Sequence, residues 1–173
     1  MSAGDGTLRF RELREEDLAL VAVWRSRAHV ARWFHGSLTA EQTRAKFLPR
    51  INGTEPVHVF VVERDGVAVG YIQEFRVGDL PAVAAALQVP PDAHGVDVLI
   101  GDEHNTGHGL GTLIVRTFAE RLLRDTSVER VVITPDAENG AAIRCYEKAG
   151  FERVRDVPST FDERTNLLME RRR

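Results

Sequence analysis

The chain is poor in cysteine, because its 173 residues include only one, Cys145. A single thiol cannot close a disulfide within the chain, and it cannot supply the thiolate cluster of a structural zinc site. Long hydrophobic runs are also missing, since no apolar stretch approaches the roughly 20 residues that span a bilayer. A disulfide framework, a thiolate metal site and a membrane-spanning segment are therefore not expected.

The chain also lacks an excess of charge of one sign. Lys and Arg number 23 against 26 Asp and Glu, so the net charge is −3 and no global field favours nucleic acid. Residues 1–6 have neither the basic nor the apolar part of a secretory signal, and we expect them to be a disordered start of a cytoplasmic protein. At 43% hydrophobic residues, the chain predicts one soluble domain over residues 7–173, as a monomer or homodimer.

Hydrophobic periodicity predicts a mixed α/β fold in the order β-α-α-β-β-loop-β-α-β-α-β-β. The long connection over residues 76–94 is rich in proline and alanine, which favours an irregular segment with at most one short helix. The predicted strands are 7–13, 57–63, 67–75, 95–100, 128–133, 154–157 and 165–170, and the predicted helices are 14–24, 39–49, 112–124 and 141–148.

The most informative stretch follows the strand at 95–100. Gly107, Gly109 and Gly111 alternate in a loop, and Thr112 then opens an amphipathic run. Glycines let backbone N–H groups approach a ligand without a Cβ atom in the way, and a helix N-terminus adds unpaired donors and the positive end of a dipole. The pattern therefore predicts a site for a pyrophosphate.

Two motifs together resemble the acetyl-CoA signature of the GCN5-related N-acetyltransferase (GNAT) superfamily. They are the turn 106–111, TGHGLG, and the segment 139–151, NGAAIRCYEKAGF. Segments 24–34, 70–73 and 95–97 are further similar to aminoglycoside 6′-N-acetyltransferases. The resemblance implies a GNAT fold, with helices flanking a central mixed sheet whose strands splay at the acetyl-CoA site. It also implies acetyl-CoA as cosubstrate, no metal, and an aminoglycoside antibiotic as the small-molecule acceptor.

The resemblance also assigns the cofactor-binding positions. Backbone N–H groups near residues 99–101 are expected to pair with the thioester and the pantetheine arm, while Asn139 either binds the cofactor or caps its helix. The cofactor-binding residues are thus predicted to be Leu99, Ile100, Gly101, Thr106, Gly107, His108, Gly109, Leu110, Gly111, Thr112, Asn139, Ala142 and Tyr146.

Two residues are the candidates for catalysis. Asp97 lies in a mostly apolar strand, where a carboxylate is costly unless it has a function, and it could bind the acceptor ammonium and take its proton. The alternative is a structural aspartate bonded to the backbone. Tyr146 has a phenol whose ordinary pKa, about 10, lies close to the 8.5 of a thiol, so it could protonate the departing thiolate. Its alternative role is to pack under the cofactor.

Aromatic and polar residues elsewhere are candidates for the acceptor pocket. Trp24 has helical spacing typical of the core, Cys145 is expected to be buried, and His104 and His108 flank a glycine loop without a third metal ligand. The predicted substrate-binding residues are Trp33, Phe34, Gln73, Glu74, Asp79 and Asp97.

Three departures from the family pattern bear on the acceptor. Thr106 and Thr134 stand where a Gln or Arg and an Asp are common, and the loop 78–94 has few acids, while Arg32 adds a positive charge beside Trp33. These features favour a weakly cationic acceptor such as kasugamycin over kanamycin or tobramycin. The acetylated amine is then either the 6′-amine or, for kasugamycin, the 2′-amine, and the sequence leaves this choice open. Alternatives are a lysine-type N-acyltransferase of siderophore biosynthesis and a non-catalytic acyl-CoA-binding module.

Overall fold

Within residues 6–173, which the computed structural model describes, seven strands form a mixed sheet in the order β1-β2-β3-β4-β5-β7-β6. Residues 1–5 of the predicted disordered segment lie outside the described residues. The strands are β1 (Leu8–Glu12), β2 (His58–Arg64), β3 (Val67–Arg76), β4 (His94–Ile100), β5 (Arg130–Ile133), β6 (Glu152–Pro158) and β7 (Thr165–Arg172). The helices are α1 (Leu18–Ser26), α2 (Ala28–Ala31), α3 (Ala40–Ile51), α4 (Pro81–Leu87), α5 (Leu110–Leu123) and α6 (Gly140–Lys148).

The middle of the sheet is where β4 and β5 meet, and their pairing is brief. It is parallel, and it is recorded at two positions, His94 with Val131 and Gly95 with Val132. On its other edge β4 pairs with β3 along its whole length. The two central strands therefore separate after Gly95, which confirms the predicted mixed α/β fold with splayed strands.

Helices cover both faces of the sheet because each strand turns alternate side chains to opposite sides. On one face, Tyr71 and Leu99 pack with Trp24 of α1 and Phe47 of α3. On the other face, Val96 belongs to a core with α5 and α6. Among the described residues, none of the helices combines the length and apolarity needed to traverse a bilayer.

Several elements differ in extent from the sequence-based prediction. Helix α3 begins at the predicted Thr39 cap but continues through Pro49 to Ile51, because a proline in the last turn removes only one helical hydrogen bond. Helix α5 begins at Leu110, two residues before Thr112, and the left-handed Gly109 (φ 82°) precedes it. The connection 76–94, predicted to be irregular with at most one short helix, holds the helix α4 and a 3₁₀ turn at Val77–Asp79. The four-residue helix α2 was not predicted.

Gly101, at the end of β4, shows how tightly α1 packs on the sheet. A Cβ atom added there would overlap the indole of Trp24, whose residue is buried. Gly101 therefore has a packing reason to be glycine, independent of any ligand. The predicted core position of Trp24 is confirmed.

We expect Gly101→Ala to lower the free energy of unfolding by about 1 to 3 kcal/mol, because the added methyl group forces the Trp24 ring to shift within a packed core. Urea denaturation followed by tryptophan fluorescence measures this change. Gly140→Ala is the control, since its Cβ would approach only the flexible end of Arg144 at 3.1 Å, and it should be neutral or slightly stabilising. Equal stabilities of Gly101→Ala and the parent would contradict the packing argument.

Candidate active site

A cavity of about 430 Å³ opens where β4 and β5 separate. Its size is within the range of small-molecule sites. Strands β3, β4 and β5 form its floor, α1 and α3 one wall, and α6 another, and residues of the β6–β7 loop also reach it. The splay of the sheet thus creates a site that contacts most parts of the fold.

The glycine loop before α5 has the geometry of an anion cradle. Gly107 and Gly109 have φ angles of 77° and 82°, and no heavy atom lies within 4 Å of the Cβ position of either. The N–H of Leu113 bonds to the carbonyl of Gly109 at 3.0 Å as the first bond of the helix. The N–H groups of Leu110, Gly111 and Thr112 precede that bond and are available at the positive end of the helix dipole. This arrangement fits a pyrophosphate.

Two threonines of this loop use their hydroxyl groups within the protein. Thr106 Oγ1 donates to the carbonyl of Glu103 at 2.6 Å, and its N–H donates to the same carbonyl at 2.9 Å. Thr112 Oγ1 donates to the carbonyl of Cys145 at 3.3 Å. His108 is exposed on the loop. The hydroxyl groups of Thr106 and Thr112 are thus engaged within the protein, so a contact of either residue with the cofactor would have to come from the backbone, where the Thr112 N–H remains available.

The free edge of β4 offers a different set of N–H groups from the predicted one. The N–H of Gly101 donates to the carbonyl of Val69 in β3 at 2.9 Å, and strand alternation directs the N–H of Leu99 toward β3 as well. Alternation turns the N–H groups of Val98 and Ile100 to the edge that β5 leaves open. The N–H groups of Leu99 and Gly101 therefore point to β3 and not, as expected, to the cofactor. The N–H of Val98 was not predicted, because sequence alone does not tell which N–H groups face the open edge.

Asp97 is half-buried, lines the cavity and is held by a chain of side-chain hydrogen bonds. Gln73, opposite Asp97 in the β3–β4 register, donates to Asp97 Oδ2 at 3.0 Å. Arg50 donates to Gln73 Oε1 at 2.7 Å and to Glu55 Oε1 at 2.9 Å. These hydrogen bonds fix Oδ2 of the Asp97 carboxylate, whereas Oδ1 has no protein donor among the described residues.

Tyr146 of α6 lines the same cavity. Tyr146 is half-buried, and the partial desolvation of its phenol raises the pKa of that group, an effect reinforced by the nearby Cys145 and Asp97. The phenol therefore keeps its proton at neutral pH. Burial also raises the pKa of the Cys145 thiol, whose sulfur lies 3.3 Å from Thr112 Oγ1. Cys145 is thus a packed thiol rather than an activated nucleophile.

Asn139 caps α6. Its Oδ1 accepts a hydrogen bond from the N–H of Ala142 at 3.1 Å, so the capping role left open by the sequence is present. Both residues also line the cavity. Because the cap uses the oxygen, the amide nitrogen of Asn139 remains a donor for a ligand.

The structure brings together some of the predicted acceptor residues and not others. Trp33, Phe34 and Gln73 line the cavity. Glu74 instead lies on the opposite face of β3, 2.9 Å from His94 Nδ1, because successive strand residues point to opposite sides. Asp79 is exposed in the 3₁₀ turn and is not part of the lining. The predictions for Glu74 and Asp79 are corrected accordingly.

Three cations of the lining were not predicted. They are Arg25 of α1 and Lys46 and Arg50 of α3. Desolvation, with repulsion from Arg25 and Arg50, lowers the pKa of Lys46 to about 8. Helical spacing could have indicated Lys46 and Arg50, because the two positions lie one turn apart on α3 beside the buried Phe47. Arg32, by contrast, stacks on Trp33 at 4.6 Å and does not line the cavity.

The loop between β6 and β7 reaches across to the segment that follows α2. Arg164 pairs with Asp162 at 2.8 Å and with Asp136 at 3.0 Å, and its Nη2 lies 2.7 Å from His35 Nδ1. His35 also stacks on Phe161, with ring centroids 4.9 Å apart. This cluster forms one rim of the cavity. Within residues 6–173, no group of three potential metal ligands occurs, and His104 and His108 are both exposed.

Comparison with known proteins identifies the family. The model of the acetyltransferase (GNAT) domain matches residues 14–158. The chain belongs to the GNAT family of acetyltransferases. The acyl donor of this GNAT enzyme is acetyl-CoA, and the glycine loop and the open edge of β4 are suited to hold it.

The relatives of this GNAT enzyme include aminoglycoside acetyltransferases. Aminoglycoside N(6′)-acetyltransferase type 1 of Klebsiella pneumoniae is 32% identical over 171 residues, covering 94% of this chain and 85% of that protein. A kanamycin resistance protein of Rhizobium radiobacter is 37% identical over 91 residues, covering 50% of this chain and 84% of that one. The crystal structure of AAC(6′)-Ib with coenzyme A and kanamycin superposes with a TM-score of 0.85 at 29% identity, covering 96% and 95% of the two chains.

We expect Gly109→Val to weaken acetyl-CoA binding at least tenfold, because a β-branched side chain resists the left-handed backbone and obstructs the approach of a phosphate. Isothermal titration calorimetry with acetyl-CoA measures the affinity. Gly66→Val is the matched control, since Gly66 has a similar φ of 80° but lies in the β2–β3 turn. It should lose stability and keep its affinity, whereas unchanged affinity in Gly109→Val would show that the loop does not hold the pyrophosphate.

Proposed function

We propose that this enzyme N-acetylates an aminoglycoside antibiotic and so confers resistance by removing a positive charge and a hydrogen-bond donor. The observation that carries the proposal is the position of Asp97, a carboxylate of β4 that lies beyond the point where β5 separates and lines the same cavity as Trp33 and Phe34. The names of the relatives support the acceptor class, because both curated relatives described above act on or confer resistance to aminoglycosides.

Asp97 is the proposed general base. An acceptor amine is protonated in water and must lose a proton before it can attack a thioester. The free Oδ1 can bind the ammonium and accept its proton, directly or through a water molecule, while the bond from Gln73 fixes Oδ2. The alternative, a purely structural aspartate, is less well supported because no backbone group bonds to its side chain within the described residues.

The backbone of β4 is the proposed support for the thioester carbonyl. Acetyl-CoA supplies the acetyl group as a thioester, whose carbonyl oxygen gains negative charge during attack. One of the N–H groups of Val98 and Ile100 on the open edge can donate to that oxygen and the other to the pantetheine arm, since two residues along a strand are about 6.6 Å apart. Fixed backbone donors are effective because they need no reorganisation.

Tyr146 is the proposed general acid. Its raised pKa keeps the phenol protonated at neutral pH, so a proton is available for the departing sulfur. The same raised pKa makes the phenol a weaker acid, and packing of the ring beside the pantetheine arm is the other role that its position supports.

For the acceptor, we propose a weakly cationic aminoglycoside, with kasugamycin and its 2′-amine as the model substrate. Of the three carboxylates in the lining, Glu55 is paired with Arg50 and Asp136 with Arg164, so only Asp97 is left to bind an ammonium group. A polycationic acceptor would also meet the cations of α3. A siderophore-type lysine acceptor fits the same charges, whereas a non-catalytic module gives no reason for the oriented Asp97.

We expect Asp97→Asn to lower kcat/KM for the acceptor by about two orders of magnitude or more, the scale of losing a general base, with little change in acetyl-CoA affinity. Release of free CoA, detected with a thiol reagent, measures the rate. Asp79→Asn is the control, because Asp79 is exposed and outside the lining, and it should behave as the parent. A rate for Asp97→Asn near that of the parent would remove Asp97 from the chemistry.

The acceptor class is tested by a panel that includes kasugamycin, kanamycin, tobramycin and lysine, with NMR of each product to locate the acetyl group. We expect the highest kcat/KM for kasugamycin, since it carries few amines and a carboxylate. A rate that is highest for the most cationic members and falls steeply with added salt would favour 6′-acetylation of ordinary aminoglycosides. No turnover with any amine would favour the non-catalytic alternative.

A further inference from the structure

The wall of the cavity formed by α1 and α3 contains three cations, Arg25, Lys46 and Arg50, and only Lys46 has no hydrogen-bond acceptor among the described residues. Arg25 donates to the carbonyl of Phe34 at 2.9 Å, and Arg50 donates to Gln73 and Glu55. Lys46 has no oxygen partner among the described residues, and its recorded neighbour is the ring of Phe161, 5.7 Å from Nζ. Lys46 is therefore the cation of this wall that is available to a ligand.

In the protein without a bound ligand, the position of Lys46 lowers the stability of the fold. Its side chain is half-buried beside two arginines, and a partly desolvated ammonium near like charges costs stability. The nearest opposite charges, Glu55 and Asp97, already have hydrogen-bonding partners in Arg50 and Gln73. An anion bound in the cavity would offset this cost.

We propose that Lys46 binds a carboxylate carried by the acceptor, so that the preferred acceptor is zwitterionic, with its reacting amine at Asp97 and its carboxylate at Lys46. This inference rests on the proposed function. It assigns opposite charges to two neighbouring positions of the cavity, Asp97 and Lys46, and each position selects the complementary group. Lys46 is then a residue of substrate specificity that does not take part in the chemical step.

The matched pair of probes is kasugamycin and its primary carboxamide, which differ only in the negative charge, with kanamycin as a cationic acceptor without a carboxylate. For Lys46→Met we expect the KM for kasugamycin to rise about 10- to 100-fold, the effect of losing one charge-assisted hydrogen bond, while kcat changes little. The KM for the carboxamide should stay constant, and the KM for kanamycin should fall because a repulsive charge is gone.

Two further variants separate charge from structure. Arg44→Met removes an exposed cation from the same helix: 53% of the Arg44 side chain is exposed, and its guanidinium pairs with Glu15. This substitution should change none of the three KM values. Lys46→Arg retains the charge and should preserve the preference for kasugamycin. Thermal denaturation should show Lys46→Met to be at least as stable as the parent, because it no longer buries an ammonium group.

The ratio of the KM values for the carboxamide and for kasugamycin should also depend on pH. The groups that face Lys46 are Arg25 from α1, Arg50 from α3, Asp97 from β4 and Glu55 from the turn after α3. With the pKa of Lys46 at about 8, its positive charge is lost as the pH rises through 8, and the ratio should fall toward one. In Lys46→Arg the ratio should stay constant, since arginine remains protonated.

The outcomes distinguish this inference from the proposed function. Equal effects of Lys46→Met on kasugamycin and its carboxamide, or no effect on either, would overturn the carboxylate site while leaving acetyl transfer intact. The same conclusion follows if the parent enzyme acetylates kanamycin and neither probe of the pair. If no amine is acetylated, the proposed function itself fails.

Discussion

The separation of β4 from β5 is the constraint on which the rest of this molecule depends. Two paired positions hold the centre of the sheet together, and beyond them each strand has an edge without a partner strand. An open edge in the middle of a sheet leaves backbone donors unsatisfied, which is tolerable only where water or a ligand can reach them. The cavity, the cofactor edge and the position of Asp97 are all consequences of this divergence.

The parts of the site that depend on local sequence were predictable. Gly107 and Gly109 are in a left-handed conformation that glycine adopts readily, and Asn139 is three residues before the N–H that it caps, so short-range rules identify both. The family signature adds the order of elements around them. For the same reason the strands and most helices were placed correctly, with differences confined mainly to their ends.

The parts that depend on tertiary geometry were not predictable. Gln73 and Glu74 are equally polar neighbours, and only the pleat of β3 decides that Gln73 contacts Asp97 while Glu74 contacts His94. Likewise, the sequence shows Lys46 only as a residue of an amphipathic helix, and the packing of α3 against the sheet decides that it lines the cavity. A single sequence does not contain the register or the docking angle, and these determine which side chains meet in the cavity.

The hydrogen-bonded chain from Glu55 through Arg50 and Gln73 to Asp97 has an evolutionary consequence. It joins the helix that forms the acceptor wall to the carboxylate proposed to take the proton, so the same residues influence recognition and turnover. A substitution that adapts α3 to a new acceptor also changes how Asp97 is held. New substrate ranges in this lineage are therefore expected to arise through coupled changes on α3 and β3 rather than through independent exchange of one helix.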